Sequence, residues 1–121
     1  MLHLSAYCKY YLYSGQTDMR KGFDSLSGIV MQQMQLNALS GDVFIFINKK
    51  RNQVKLLLFE GDGFAMYYKR LEKGTYELPG SDKINGSIMV SSEQLQLILQ
   101  GISLQHVRRR RRYQHLSQSS E

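Results

Sequence analysis

The spacing of apolar and polar positions changes several times along this chain, and each change marks a new element. From Leu4 to Tyr13 tyrosines and aliphatic residues dominate up to Ser14-Gly15, which reads as a first strand and turn with Lys9 interrupting it. From Asp18 the period lengthens. Met19, Phe23, Leu26, Val30 and Met34 follow one another at spacings of four, three, four and four, the stripe of an amphipathic helix. Thr17 or Asp18 can cap it. Gly22 and Gly28 each cost this helix about 1 kcal/mol relative to alanine, which predicts a packing reason such as close approach to a sheet.

Ser40-Gly41 breaks the chain, and the continuous apolar run Val43-Phe44-Ile45-Phe46-Ile47 is too short and too rich in β-branched and aromatic residues for a helix. It predicts a central strand covered on both faces. The polar loop Asn48-Lys49-Lys50-Arg51-Asn52 leads to a returning arm, Val54 to Phe59, and Glu60-Gly61-Asp62-Gly63 supplies the glycines of a second turn. Phe64 to Leu71 reads as the next strand, Glu72-Lys73-Gly74 as a turn, and Thr75 to Leu78 as a short strand stopped by Pro79. Gly80 to Gly86 reads as loop and Ser87 to Val90 as an edge strand. Ser91 with Gln94 forms a capping box for a last helix whose apolar face is Leu95, Ile98, Leu99 and Ile102, ending at Gly101. The expectation is an α+β fold: an antiparallel sheet of about five or six strands with a helix after the first strand and a C-terminal helix.

Length and composition narrow the class. A chain of 121 residues suits one domain, 42% apolar and 21% charged residues match the ordinary globular balance, and no apolar run approaches the roughly 18 residues of a membrane span. The opening residues lack the basic segment, apolar block and cleavage site of a signal peptide, so a cytoplasmic protein without membrane contact is expected. The single Cys8 has no partner for an internal disulfide and reads as a small buried hydrophobe. With His3, His106 and His115 it offers no metal-ligand spacing, and no cofactor is expected.

The net charge of +6 matters through its location. Residues 1–107 carry 11 Lys/Arg against 9 Asp/Glu, and Arg108 to Arg112 supply most of the excess. Beyond His106 the composition turns to Arg, Gln and Ser. Residues 1–107 are therefore expected to form one α+β domain, and 108–121 a basic, flexible tail that meets polyanions with strong salt dependence.

Thr17-Asp18-Met19-Arg20-Lys21-Gly22-Phe23-Asp24-Ser25-Leu26 resembles the T-D-M-R-K-G-F-D-G-L signature of the TnpB accessory proteins, encoded by the second reading frame of insertion sequences of the IS-sixty-six type. These are unrelated to the RNA-guided nucleases that share the name. The resemblance continues through Gly41-Asp42-Val43-Phe44-Ile45-Phe46, the basic hairpin loop with Lys49, Lys50 and Lys55, Gly61-Asp62-Gly63-Phe64, Lys69-Arg70-Leu71-Glu72-Lys73-Gly74 and the helix from Gln94-Leu95 to Gly101-Ile102. Family members usually carry tryptophans before the Gly-x-Gly turn and before the proline. Here Leu58-Phe59 and Leu78-Pro79 stand there, and Glu60 replaces a usual aspartate. If those indoles fill core, Phe59 and Leu78 can substitute.

The resemblance implies a role in DNA transposition beside a separate transposase that carries the chemistry, and it implies no catalytic residue. The residues agree with a non-enzymatic reading. Asp18 serves as a cap, Asp24 lies on a helix surface, and Glu60, Asp62 and Glu72 sit at turns; no serine occupies a strained nucleophile turn. Gly61-x-Gly63 leads into a strand and lacks the helix N-terminus of a phosphate loop.

Three basic groups are candidates for contact with DNA. Arg20 and Lys21 fall in the expected first helical turn, beside free N–H groups that favour phosphate; pairing with Asp18 or Asp24 explains them equally well. Lys49, Lys50, Arg51 and Lys55 project from a hairpin, where solubilising charge also collects. Arg108, Arg109, Arg110, Arg111 and Arg112 gain most when counterions leave DNA. Lys69 and Arg70 join them from the strand end that matches the family. Two functions follow: a DNA-binding accessory factor, or an adaptor that docks on the transposase or on another copy of itself. The tyrosines at 7, 10, 11, 13, 67 and 68 suit either, since tyrosine is enriched at protein interfaces and stacks on bases.

Overall fold

Val43–Ile47 has no polar side chain to show to water, and the fold answers by surrounding it. The computed structural model describes residues 8–78 and 86–100. Along them run β1 (Tyr10–Gln16), α1 (Phe23–Gln32), β2 (Val43–Ile47), β3 (Gln53–Phe59), β4 (Phe64–Arg70), β5 (Ser87–Val90) and α2 (Ser92–Leu99). The strands form one sheet in the order β4-β3-β2-β1-β5, with β2 at the centre and all its residues buried. β5 lies at the edge expected of it.

Alternation along β2 splits the core in two. Val43, Ile45 and Ile47 pack with Tyr10, Leu12, Leu56 and the α2 residues Leu95 and Ile98. Phe44 and Phe46 pack with Leu57 and with Leu26 and Val30 of α1. The two helices therefore cover opposite faces, which is why a strand of unbroken apolar sequence is stable here. Ser91 caps α2 as its sequence predicts, accepting from the Gln94 N–H at 3.0 Å while the Gln94 side chain accepts from the Ser91 N–H at 2.9 Å.

The α+β class holds, with one pairing that the antiparallel expectation did not contain. β1 and β2 are parallel, Tyr10 opposite Val43 and Leu12 opposite Ile45, while the β1–β5, β2–β3 and β3–β4 pairs are antiparallel. Parallel strands need a crossover that a hairpin cannot supply, and the segment containing α1 provides it.

Local expectations change in four places, the first being that Ser14 and Gly15, expected to turn the chain, lie within β1. The helix starts at Phe23 rather than near Asp18, with Gly22 as N-cap and no side-chain cap. Thr17 and Asp18 are drawn elsewhere: the Thr17 N–H donates to the Ile47 carbonyl at 3.0 Å, and Asp18 engages Arg20. Nor do Gly22 and Gly28 mark close approaches, since a Cβ at either would meet nothing within 4 Å. The glycine that the packing requires is Gly86, with φ 80° and a Cβ position only 2.8 Å from the Gln33 carbonyl oxygen; at Gly15, in the stretch where the β1–β2 register shifts between Leu12 and Gln16, a Cβ would meet only the movable end of the Tyr13 ring. Thr75 to Leu78 is not a strand. Tyr76 is instead held singly, its N–H on the Arg51 carbonyl at 2.7 Å and its buried phenol donating to the Lys69 carbonyl at 3.3 Å. Leu78 packs partly buried against the α2-side core, and Phe59 meets Phe64 edge-on. The expected strand residues before residue 8, the loop 79–85, and Gly101 and Ile102 lie outside the described residues.

Because nothing crowds Gly28, Gly28→Ala should raise stability by about 0.5–1 kcal/mol, whereas Ile45→Ala at the centre of the sheet should lower it by about 2–5 kcal/mol. Urea unfolding midpoints measure both. A destabilised Gly28→Ala variant would mean that the helix packs more closely there than the geometry shows.

Candidate nucleic-acid interface

The parallel pair decides what meets at one end of the sheet. Gln16 of β1 is in register with Ile47 of β2, so the loop after β1 and the hairpin after β2 leave the sheet side by side. β3 begins and β4 finishes at this end too, with Gln53 opposite Arg70. Between them lies an open groove of about 660 Å³, whose lining includes Thr17, Arg20, Lys49, Lys50, Gln53 and Tyr68.

Short-range bonds shape each wall. In the hairpin, the Asn48 carbonyl accepts from the Arg51 N–H at 3.0 Å, and its Oδ1 accepts from the N–H groups of Asn52 and Gln53 at 3.0 and 2.9 Å. Asparagine is suited to this role because its short amide reproduces a backbone turn. Arg51 takes a left-handed conformation, φ 59°, to close it. Lys49 and Lys50 are left exposed at the tip.

Lys55 has the opposite fate. Expected to project from the hairpin, it is only 7% exposed, and its Nζ donates to the carbonyls of Met19 at 2.7 Å and Lys21 at 2.8 Å. The correction follows from strand alternation: Lys55 pairs with Phe46, whose side chain faces α1, so the lysine turns inward beneath the loop that leads to that helix. It fastens the loop and has no ammonium to spare for phosphate. Lys69 alternates to the other face, where its Nζ donates to the Leu99 carbonyl at 2.7 Å, satisfying one of the carbonyls that a helix end leaves open. Arg70 makes an exposed ion pair with Glu72 at 3.4 Å.

Arg20 and Lys21 precede α1 rather than forming its first turn. Arg20 grips Asp18 with two parallel bonds, Nε to Oδ1 at 3.1 Å and Nη2 to Oδ2 at 2.7 Å, and its backbone N–H reaches Oδ1 at 2.9 Å. The pairing reading of Arg20 thus holds, yet its side chain remains 90% exposed. The hydrogen bonds from Arg20 pull the Asp18 carboxyl down from 3.8 to about 2, and Asp18 in turn raises the guanidinium further. Lys21 is exposed alongside. The structure therefore brings Arg20 together with Lys49 and Lys50, removes Lys55 from the set, and commits Lys69 to α2. Arg108 to Arg112 lie outside the described residues.

Some groove residues carried no functional signal in the sequence. Thr17 and Asp18 read as helix caps, and Gln53 read as nothing in particular. Tyr68 stood out only as one of several clustered tyrosines. Among the described residues no group of three or more His, Cys, Asp or Glu side chains could hold a metal ion, and no helix is long and apolar enough to cross a membrane.

The class defined by this geometry is an α+β domain with helices on both faces of a mixed sheet and a cationic groove at one end. The chain belongs to the family of IS66 Orf2-like proteins, whose model matches residues 8–109, and membership associates it with the transposition of insertion sequences. Two relatives come from Sinorhizobium fredii (strain NBRC 101917 / NGR234). The uncharacterized protein y4hO is 36% identical over 93 residues, covering 77% of this chain and 79% of its own. The uncharacterized protein y4jC is 26% identical over 93 residues, with 77% and 78% covered. No solved structure matches the chain at a significant level.

The Asp18–Arg20 grip has a pH signature. A carboxyl held below its ordinary value adds stability above about pH 4 that is lost as the pH falls through about 2. A carbon-detected NMR titration should find Asp18 with a midpoint near 2, moving up toward 3.8 in Arg20→Gln. Separately, Lys55→Ala should lower stability by about 2–3 kcal/mol by leaving the Met19 and Lys21 carbonyls without their cation, and should speed amide exchange selectively in residues 17–22. Slow exchange there in the variant would show that something else anchors the loop.

Proposed function

We propose that this protein is a non-catalytic accessory factor of insertion-sequence transposition, working in the cytoplasm beside the element's transposase, and that it binds DNA through the groove at the end of the sheet and through Arg108 to Arg112. The observation that carries this reading is the convergence of Arg20, Lys49 and Lys50 on one open groove, three cations against the single carboxylate of Asp18. Like charges placed together raise the local potential, and the exposed ammonium and guanidinium groups gain when phosphates displace their counterions. Asp18 offsets one of these charges through its ion pair with Arg20, and Lys49 and Lys50 leave the groove with a net positive charge. Arg108 to Arg112 add a sequence-independent polyanion contact to whatever the groove holds.

A second reading has its own support. Phe23, Met31 and Leu39, on and after α1, keep about half of their surface exposed, which suits contact with the transposase or with a second copy of this chain.

Salt titrations of DNA binding distinguish the two. The full chain should bind with a steep salt slope; Lys49→Ala/Lys50→Ala should weaken binding across sequences and flatten the slope by about 2, and replacing Arg108 to Arg112 by alanine should flatten it further. Binding that is absent at low salt, or that ignores all of these changes, would leave the adaptor reading in place.

A further inference from the structure

Among the described residues Tyr68, on the edge strand β4, is the one aromatic side chain that lines the cationic groove. It is 53% exposed, a large apolar surface to leave in water, yet it is held at two points. Its hydroxyl donates to Gln53 Oε1 across the β3–β4 pair. The Lys55 ammonium, already bound to two loop carbonyls, lies 4.9 Å from the ring centroid. Lys55 is buried and lies over one face of the ring, while the exposed part of Tyr68 borders the groove.

A fixed, half-exposed ring, flanked by exposed cations, has the chemistry of a stacking platform. The cations meet phosphates; the ring meets the π-face of a base. In a duplex those faces are covered by neighbouring base pairs, and Tyr68 could reach only sugar or phosphate, to which a ring adds little. Building on the DNA-binding reading above, we infer that the groove recognises unpaired DNA, with a base stacked on Tyr68 and the adjoining phosphates held by Arg20, Lys49 and Lys50. The two anchors on the ring serve this purpose by fixing its orientation before the ligand arrives, so that little side-chain entropy is lost on binding. For an accessory factor of transposition, the substrate class is then a single-stranded or frayed segment of the element rather than its intact duplex.

The test compares one oligonucleotide as a single strand and as its blunt duplex, by fluorescence anisotropy with the full chain and three variants. The single strand should bind at least tenfold more tightly. Tyr68→Ala should lose roughly five- to a hundredfold of single-strand affinity with an unchanged salt slope, since a stacking contact releases no counterions. Tyr68→Phe should keep most of it. The chain contains no tryptophan, so Tyr68→Trp places the only indole in the groove, and its emission should be quenched saturably by the single strand. This readout and Tyr68→Phe decide the matter should Tyr68→Ala fold poorly. Equal or tighter binding of the duplex, an unaffected Tyr68→Ala variant, or an indole that is not quenched while anisotropy reports binding would overturn the stacking inference and leave DNA binding standing. Failure to bind either form would remove both.

Discussion

The parallel pairing of β1 with β2 is the constraint from which the rest of this molecule follows. Had β2 returned antiparallel to β1, the loop bearing Arg20 and the hairpin bearing Lys49 and Lys50 would emerge at opposite ends of the sheet. Running in the same direction, the two strands finish together, Gln16 beside Ile47, and their loops become the two walls of one groove. The crossover containing α1 makes this geometry attainable, and burial of Leu26 and Val30 against Phe44 and Phe46 holds it in place.

Lys55 couples this architecture to the groove. A lysine facing a core would ordinarily be unfavourable, since a buried ammonium loses its hydration. Here the cost is offset by the Met19 and Lys21 carbonyls and by the Tyr68 ring, so that one side chain fastens the loop before α1 and steadies an aromatic wall of the groove. The residue that looked like a surface contact for DNA thus acts from beneath the surface, positioning the groups that remain exposed. Lys69 plays the corresponding role on the opposite face, where it closes the end of α2. Two cations of the same hairpin pair, β3 and β4, are spent on structure because strand alternation points each toward a helix, whereas Lys49 and Lys50 escape because they sit in the turn between strands.

Much of the fold was legible in the chain. The central position of Val43–Ile47, the turn at Glu60–Gly63, the edge strand at Ser87–Val90 and the capping box at Ser91–Gln94 all follow from local rules, because each is decided by residues within a few positions of one another. The start of α1 was misplaced for an instructive reason. The apolar spacing from Met19 onward is helical, but Met19 packs on the core from a loop whose Thr17 and Asp18 have been recruited by Ile47 and Arg20. A tertiary contact overrode a local pattern.

The sequence by itself determined which segments are apolar on one side or on two, where the chain must turn, and that these motifs match those of the IS66 Orf2-like family. Only the tertiary structure decided which cations are free. Hydrophobic periodicity is a short-range property that every residue carries with it, whereas the availability of a charge depends on partners far along the chain: Lys55 on carbonyls more than thirty residues earlier, Lys69 on a carbonyl thirty residues later. Strand direction is of the same kind, since a parallel and an antiparallel neighbour bury the same apolar side chains, and the difference appears only in which loops come to lie side by side.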